Sequence, residues 1–342
     1  MKRAVVSFAL AASLAMVGSG ESAVADQQNL GSMRGAVSPN VQRASKLVST
    51  SPTAAAVCTK NQISINRFSE CEWLTLHFDI YKTVGGKPSL QGTVDFDVKH
   101  KMTLKAKSIN WSEKFELSKA KTTGAGKGSR VKIAVASQSG TKAKVTFDQG
   151  RTLDSASSGS VSYTTGAIAK KKINASAKTK YTFTVSKPGY RPGTVSYQSA
   201  AYRCDNYYGT SGCAFPEAPT AVSMINQARI AEGIRKLRAR GGHYGDPEGG
   251  KPLHWMINDT QKDKNRAAVC PKSAPDAEKK AGRTSCDEYP FASTREGGTK
   301  LPAAQRTITW VKKAENDSQG ATITNWRRAF HVMNNDPFYV IA

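Results

Sequence analysis

The sequence predicts an α+β chain in two parts: an antiparallel β-sandwich or barrel-like domain, then a smaller α+β domain. Three observations carry this reading. From about Cys58 to Arg203 apolar and polar residues alternate at period two, as antiparallel strands buried on one face require. Glycine-containing turn signals punctuate that stretch at roughly regular intervals. Past Cys204 the period changes to that of helices and short extended runs.

The elements follow in order. Residues 1–25 have the layout of a signal peptide: Lys2 and Arg3, an apolar run from Ala4 to Val17, and the small-residue site Ala23-Val24-Ala25. Residues 26–57 are rich in Ser, Ala, Gly, Asn and Gln, lack aromatics, and read as a flexible linker. Residues 58–203 form the β-rich part. Leu74, Leu76, Phe78 and Ile80 share one face, as do Val94, Phe96 and Val98, then Met102, Leu104 and Ala106. Val131, Ile133 and Val135 repeat the pattern, as do Tyr181, Phe183 and Val185. Gly85-Gly86, the Gly124–Ser129 stretch and Gly140 mark turns.

Residues 204–342 make the second part. Pro216 and Pro219 lead into a predicted helix with Val222, Ile225, Ile230, Ile234 and Leu237 on one face, closed by Gly241-Gly242. A polar segment runs to Cys286. Extended stretches are expected over Glu288–Ser293 and Thr307–Val311, and a last helix over Ser318–Met333. The chain closes on an extended Phe338–Ile341.

The formal charge is +24. Such a surplus suits a polyanionic partner such as nucleic acid or cell-wall polymer, or serves solubility alone. The β-rich part is lysine-rich on its polar strand positions. Those lysines either protect sheet edges or dock DNA or another polyanion. No apolar run is long enough to span a bilayer comfortably. The six cysteines fall in three local pairs, which suggests Cys58–Cys71, Cys204–Cys213 and Cys270–Cys286. Each short loop would stabilise the fold by about 3 kcal/mol. Signal peptide and disulfides together predict a secreted, extracellular protein.

There is no G-x-S-x-G, no H-E-x-x-H and no Walker A loop, which excludes the commonest hydrolase, zinc-protease and NTPase signatures. The densest polar cluster is Cys286-Asp287-Glu288-Tyr289-Pro290-Phe291-Ala292-Ser293-Thr294, followed by Glu296-Gly297-Gly298. It resembles the signature of the NucA/NucB deoxyribonucleases. Gly212–Pro216, Pro252–Trp255, Asn265-Arg266, Glu315–Gly320 and Asp336–Phe338 resemble further blocks of that family in the same order. The resemblance covers about residues 204–342.

That resemblance implies a ββα-metal-like core with aspartate in place of the usual histidine base. Asp287 would then deprotonate the attacking water, and Arg266 is a catalytic candidate that could hold a flanking phosphate and the transition-state charge. Glu296 and Asn316 are the implied metal-site residues and Glu315 a weaker one, for Mg²⁺ or Mn²⁺. Arg283, Arg295, Arg327 and Arg328 are candidates to hold DNA phosphates. Each has a plain structural alternative: a turn for Glu296-Gly297-Gly298, a helix cap for Asn316, a solvated helix face for Arg327-Arg328. His254 is a competing base. A bridge at Cys286 would fix the backbone beside Asp287.

The implied function is a secreted, metal-dependent, largely sequence-nonspecific endodeoxyribonuclease. The competing class is a non-enzymatic binder of DNA or cell-wall polymer, with a degenerate nuclease domain. Binding that survives EDTA while turnover does not would separate the two.

Overall fold

The computed structural model describes residues 30–38, 42–46, 50–51, 54–146 and 150–342. The expected signal peptide, residues 1–25, lies outside the described residues.

The N-terminal part is one curled, half-barrel sheet of thirteen strands, not two sheets stacked as a sandwich. Its backbone is a run of antiparallel neighbours: Ser69–Val84 beside Lys87–Lys105, then Ser108–Leu117, Ser157–Thr165 and Thr141–Val145. On the other side Tyr190–Gln198, Thr179–Lys187 and Arg130–Ser137 continue the sheet. The two arms are joined by Gly31–Val37.

This strand lies within the stretch expected as a flexible linker, residues 26–57. It pairs antiparallel with Ser69–Val84 and parallel with Tyr190–Gln198. The parallel pair also departs from the all-antiparallel expectation. Met33 supplies the anchor, since it is buried in the core between the two arms. The short polar composition of the segment hid that role.

The predicted faces are the buried ones. Leu74, Leu76, Phe78, Ile80, Val94, Phe96 and Val98 are all at most 2% exposed. The same inward rows also carry Glu70, Glu72, His100 and Glu113, all buried. His100 bridges Glu72 and Glu113. Burial alone would lower its pKa, but those two carboxylates hold it at about 10. Tyr163 and Tyr181 donate to Glu113, so the cluster is cross-linked inside the sheet.

The C-terminal part is smaller and mixed. Thr220–Ser223 is a strand, parallel to Pro337–Ile341, where the sequence suggested the start of a helix. Its β-branched residues gain more from that pairing than from a helical turn. The helix itself is Ala228–Ala239 and buries Ile230, Ala231, Ile234 and Leu237. Val222 belongs to the strand, and Ile225 is exposed. The polar segment before Cys286 holds two helices, Asp259–Val269 and Asp276–Lys280. The first is capped by the Asn258 side chain, which accepts from the Gln261 N–H at 2.9 Å.

Ser285–Tyr289 pairs antiparallel with Thr307–Val311, and the long helix Lys313–Phe330 follows directly. The strand, strand, helix order of the sequence is therefore a folded unit. The helix begins five residues earlier than expected, so Asn316 lies inside its first turns and is not its cap.

All three predicted disulfides are present: Cys58–Cys71, Cys204–Cys213 and Cys270–Cys286. No described helix is long and apolar enough to cross a membrane.

The two parts are bolted together. Arg67, wholly buried at the base of the half-barrel, donates from Nε to Phe330 O at 2.7 Å and from Nη2 to His331 O at 2.6 Å. It also pairs with Asp336, which Arg203 holds from a second side. A cation thus closes the C-terminal end of the long helix, where free carbonyls and the helix dipole favour it.

Candidate active site

The Ser285–Tyr289 strand and two helices enclose a cleft of about 580 Å³. Each helix contributes one stripe at helical spacing. From Asp259–Val269 come Asp259, Lys262 and Arg266. From Lys313–Phe330 come Asn316, Gln319, Ile323 and Arg327. Asp287 lies on the strand between them, with Glu288 beside it.

Asp287 is 4% exposed. Burial pushes its pKa up to about 8, with the neighbouring Glu288 adding to the rise. Gln319, beside it, and Arg266 pull the other way, while Glu315 raises it slightly further. Glu288 is also raised by burial, against Arg266, whose Nε lies 3.2 and 3.3 Å from its two oxygens.

Asn316 donates to Ser285 Oγ at 2.7 Å, which ties the helix to the strand two residues before Asp287. Arg327 stacks over Trp255 at 4.0 Å and forms part of the cleft wall. The structure thus brings Asp287, Asn316, Arg266 and Arg327 to one cleft. Gln319 and Glu288 join them. Sequence reasoning missed Gln319. The predicted helix began at Ser318 and left Asn316 outside it, so the spacing of three between Asn316 and Gln319 became a shared helix face only with the observed start at Lys313.

The other expected site residues lie elsewhere. Glu296, expected at the metal, does not line the cleft. It accepts the His254 N–H at 2.9 Å and meets His254 Nδ1 at 2.8 Å. Both oxygens are engaged, and His254 is an anchor for that loop, not a base facing Asp287. The glycines after it are structural. A Cβ on Gly297 would sit 2.5 Å from Phe291 O, and Gly298 has φ +70°. Asn265 supports the same loop by donating to Ala292 O at 2.9 Å.

Glu315 does not line the cleft either. It accepts the N–H groups of Arg229 and Ile230 at 2.8 and 3.2 Å, so it satisfies the start of the Ala228–Ala239 helix. Glu315→Ala should therefore destabilise the protein by about 1 kcal/mol and leave metal affinity unchanged. Chemical denaturation and metal titration of the same variant check this. A large loss of metal affinity would return Glu315 to the metal site.

Arg283 pairs with Glu278. Arg295 donates to Asn335 at 2.8 Å and to Asn334 at 3.3 Å. Arg328 is exposed and outside the cleft. None of the three reaches the cleft wall.

Among the described residues one group of His, Cys, Asp and Glu side chains is dense enough to be a potential metal-binding cluster: Cys270, Cys286 and Glu288. Its two sulfurs are joined in a disulfide. With that bond closed, Glu288 is the one charged ligand of the group, because thiolate and not disulfide sulfur binds metal.

No curated protein and no solved structure matches the chain. Residues 249–341, which supply every wall of this cleft except Tyr207, match the deoxyribonuclease NucA/NucB family.

Proposed function

We propose that the protein is a secreted, divalent-metal-dependent endodeoxyribonuclease with little sequence preference, and that Asp287 is its general base. The observation that carries this is the position of Asp287: a buried carboxyl, held near pKa 8, at the floor of a cleft with Asn316 and Arg327 on its walls. A base works best when its pKa lies near the working pH.

Four carboxylates line the cleft, Asp259, Asp287, Glu288 and Asp317, against Lys262, Arg266 and Arg327. Below about pH 8 Asp287 is protonated and the other charges balance, so a divalent cation would supply the positive excess that a phosphodiester needs there. The available donors are oxygens: Glu288 and Asn316, whose Nδ2 is already committed to Ser285. Oxygen donors suit Mg²⁺ or Mn²⁺. An ion held by Glu288 and Asn316 would supply charge neutralisation at the phosphate and at the departing 3′ oxygen.

The chain's own residues do the rest. Asp287 takes the proton of the attacking water. Gln319, beside Asp287, favours its ionised form. Arg266 and Arg327 face the flanking phosphates, and phosphate contacts carry no sequence information. Three disulfides support an oxidising compartment outside the cell.

The test is plasmid nicking by the mature protein. Cleavage is expected with Mg²⁺ or Mn²⁺ and none with EDTA. Asp287→Ala should lower the rate by roughly 10²–10⁴-fold without unfolding the chain. Absence of wild-type cleavage with Mg²⁺, Mn²⁺ and Ca²⁺, alongside tight DNA binding, would favour the non-enzymatic polyanion binder.

A further inference from the structure

Tyr207 is the one residue of the cleft wall that lies outside the family-matched segment. It sits in the turn between the strands Arg203–Asp205 and Gly212–Ala214, which the Cys204–Cys213 bridge clamps. Lys171 Nζ lies over its ring, 5.5 Å from the centroid. Lys171 belongs to the run Lys170-Lys171-Lys172, and all three are exposed.

This lysine loop is built into the fold. The Lys171 N–H donates to Asn206 O at 3.0 Å, and the Asn206 N–H returns to Lys172 O at 2.9 Å. Asn206 Nδ2 donates to Ile168 O at 2.9 Å. Asn174 N–H donates to Cys204 O at 3.0 Å, and Ile173 bridges Asp205. Lys171 itself adopts φ +64°, a backbone conformation that a side chain other than glycine rarely takes without such support. Among the described residues no carboxylate pairs with any of the three lysines. Three exposed like charges thus sit on a loop paired to the hairpin of Tyr207, with Lys171 over the ring of that cleft-wall residue.

We propose that Lys170, Lys171 and Lys172, with Tyr207, form a track contributed by the half-barrel that carries the DNA backbone away from the reacting phosphodiester. The proposal rests on the nuclease reading of the cleft. Lysine suits phosphate as a point charge without reading bases. Tyr207 offers a face on which a base can stack. Because the track begins at the cleft wall, it acts on substrates long enough to leave the cleft. It therefore sets KM for long DNA and leaves kcat unchanged.

The test compares three full-length mature proteins: the parent, a triple variant Lys170→Gln, Lys171→Gln, Lys172→Gln, and a control triple Lys132→Gln, Lys142→Gln, Lys144→Gln. The control removes the same charge from exposed strand positions of the sheet. DNA binding is measured against salt in EDTA, and cleavage of long DNA and of a short oligonucleotide is measured with Mg²⁺ or Mn²⁺. The track variant should lose about 2–3 from the slope of log affinity against log salt, and the control much less. Its KM for long DNA should rise roughly tenfold or more, with kcat and short-substrate kinetics kept. Tyr207→Ala should raise KM for long DNA in the same direction.

Equal slopes for the two triple variants would overturn the track while leaving the nuclease intact, provided the parent cleaves. A parent that binds but never cleaves would sink the nuclease reading and, with it, the proposed role in catalysis. The salt slopes would still decide whether the lysines hold DNA.

Discussion

Asp287→Asn is expected to lose cleavage and, in the same protein, to gain stability. The carboxyl is buried with Glu288 beside it, and its pKa stands near 8 against an ordinary value of 3.8. The folded state therefore holds the proton more tightly than the unfolded state. Its contribution to stability is complete below about pH 4 and is lost as pH rises through 8. Above that, the folded protein carries a buried charge faced by Glu288 and Glu315, relieved in part by Arg266 and Gln319.

Asparagine keeps the shape and never ionises. In EDTA the variant should gain about 0.5–2 kcal/mol at pH 8, a gain that shrinks toward zero as pH falls to 4. Cleavage should fall by at least roughly 10²-fold, since the amide cannot accept the water's proton. Denaturation curves of both proteins from pH 4 to 9 decide the matter. A variant that is no more stable at pH 8 than at pH 5, relative to the parent, would mean that Asp287 is not the strained carboxyl described here.

Arg67→Met should be the most destabilising single change outside the cleft. The guanidinium is fully buried and donates to Phe330 O, His331 O and Asp336. Met fills similar volume without donors. Asp336 and His331 O would keep Arg203, but Phe330 O, Phe215 O and Pro216 O would lose the Arg67 donor. A loss of about 3–5 kcal/mol is expected. The half-barrel and the C-terminal part share this contact, so they should unfold together in the parent. Urea curves followed by fluorescence and by far-UV dichroism provide the check. Unchanged stability, or two parent transitions that the variant leaves untouched, would refute the coupling.

The sequence determined a large share of this protein on its own. Period-two alternation named the buried faces of the strands, because a pleated strand turns successive side chains to opposite sides. Three local cysteine pairs matched the three bridges, because short loops bring nearby thiols together. Thr307–Val311 was placed without error, and the strand, strand, helix order held. The block around Asp287 pointed to a residue that the fold sets at the floor of a cleft. Glu70, Glu72, His100 and Glu113 share those inward rows, and only the folded sheet shows the ion-paired cluster they make there.

Tertiary structure decided which partner each polar group meets. Glu296 and Glu315 have the right chemistry for a metal. Their oxygens instead face His254 and the N–H groups of Arg229 and Ile230, partners more than forty and eighty positions away. Gly31–Val37 looked like linker because its strand neighbours come from two distant parts of the chain. Tyr207 entered the cleft wall by the same route, from a hairpin clamped to the half-barrel. Local spacing fixes the direction in which a side chain points along its own element. Contacts between distant elements depend on how those elements dock, and that is set by the packing of the whole core.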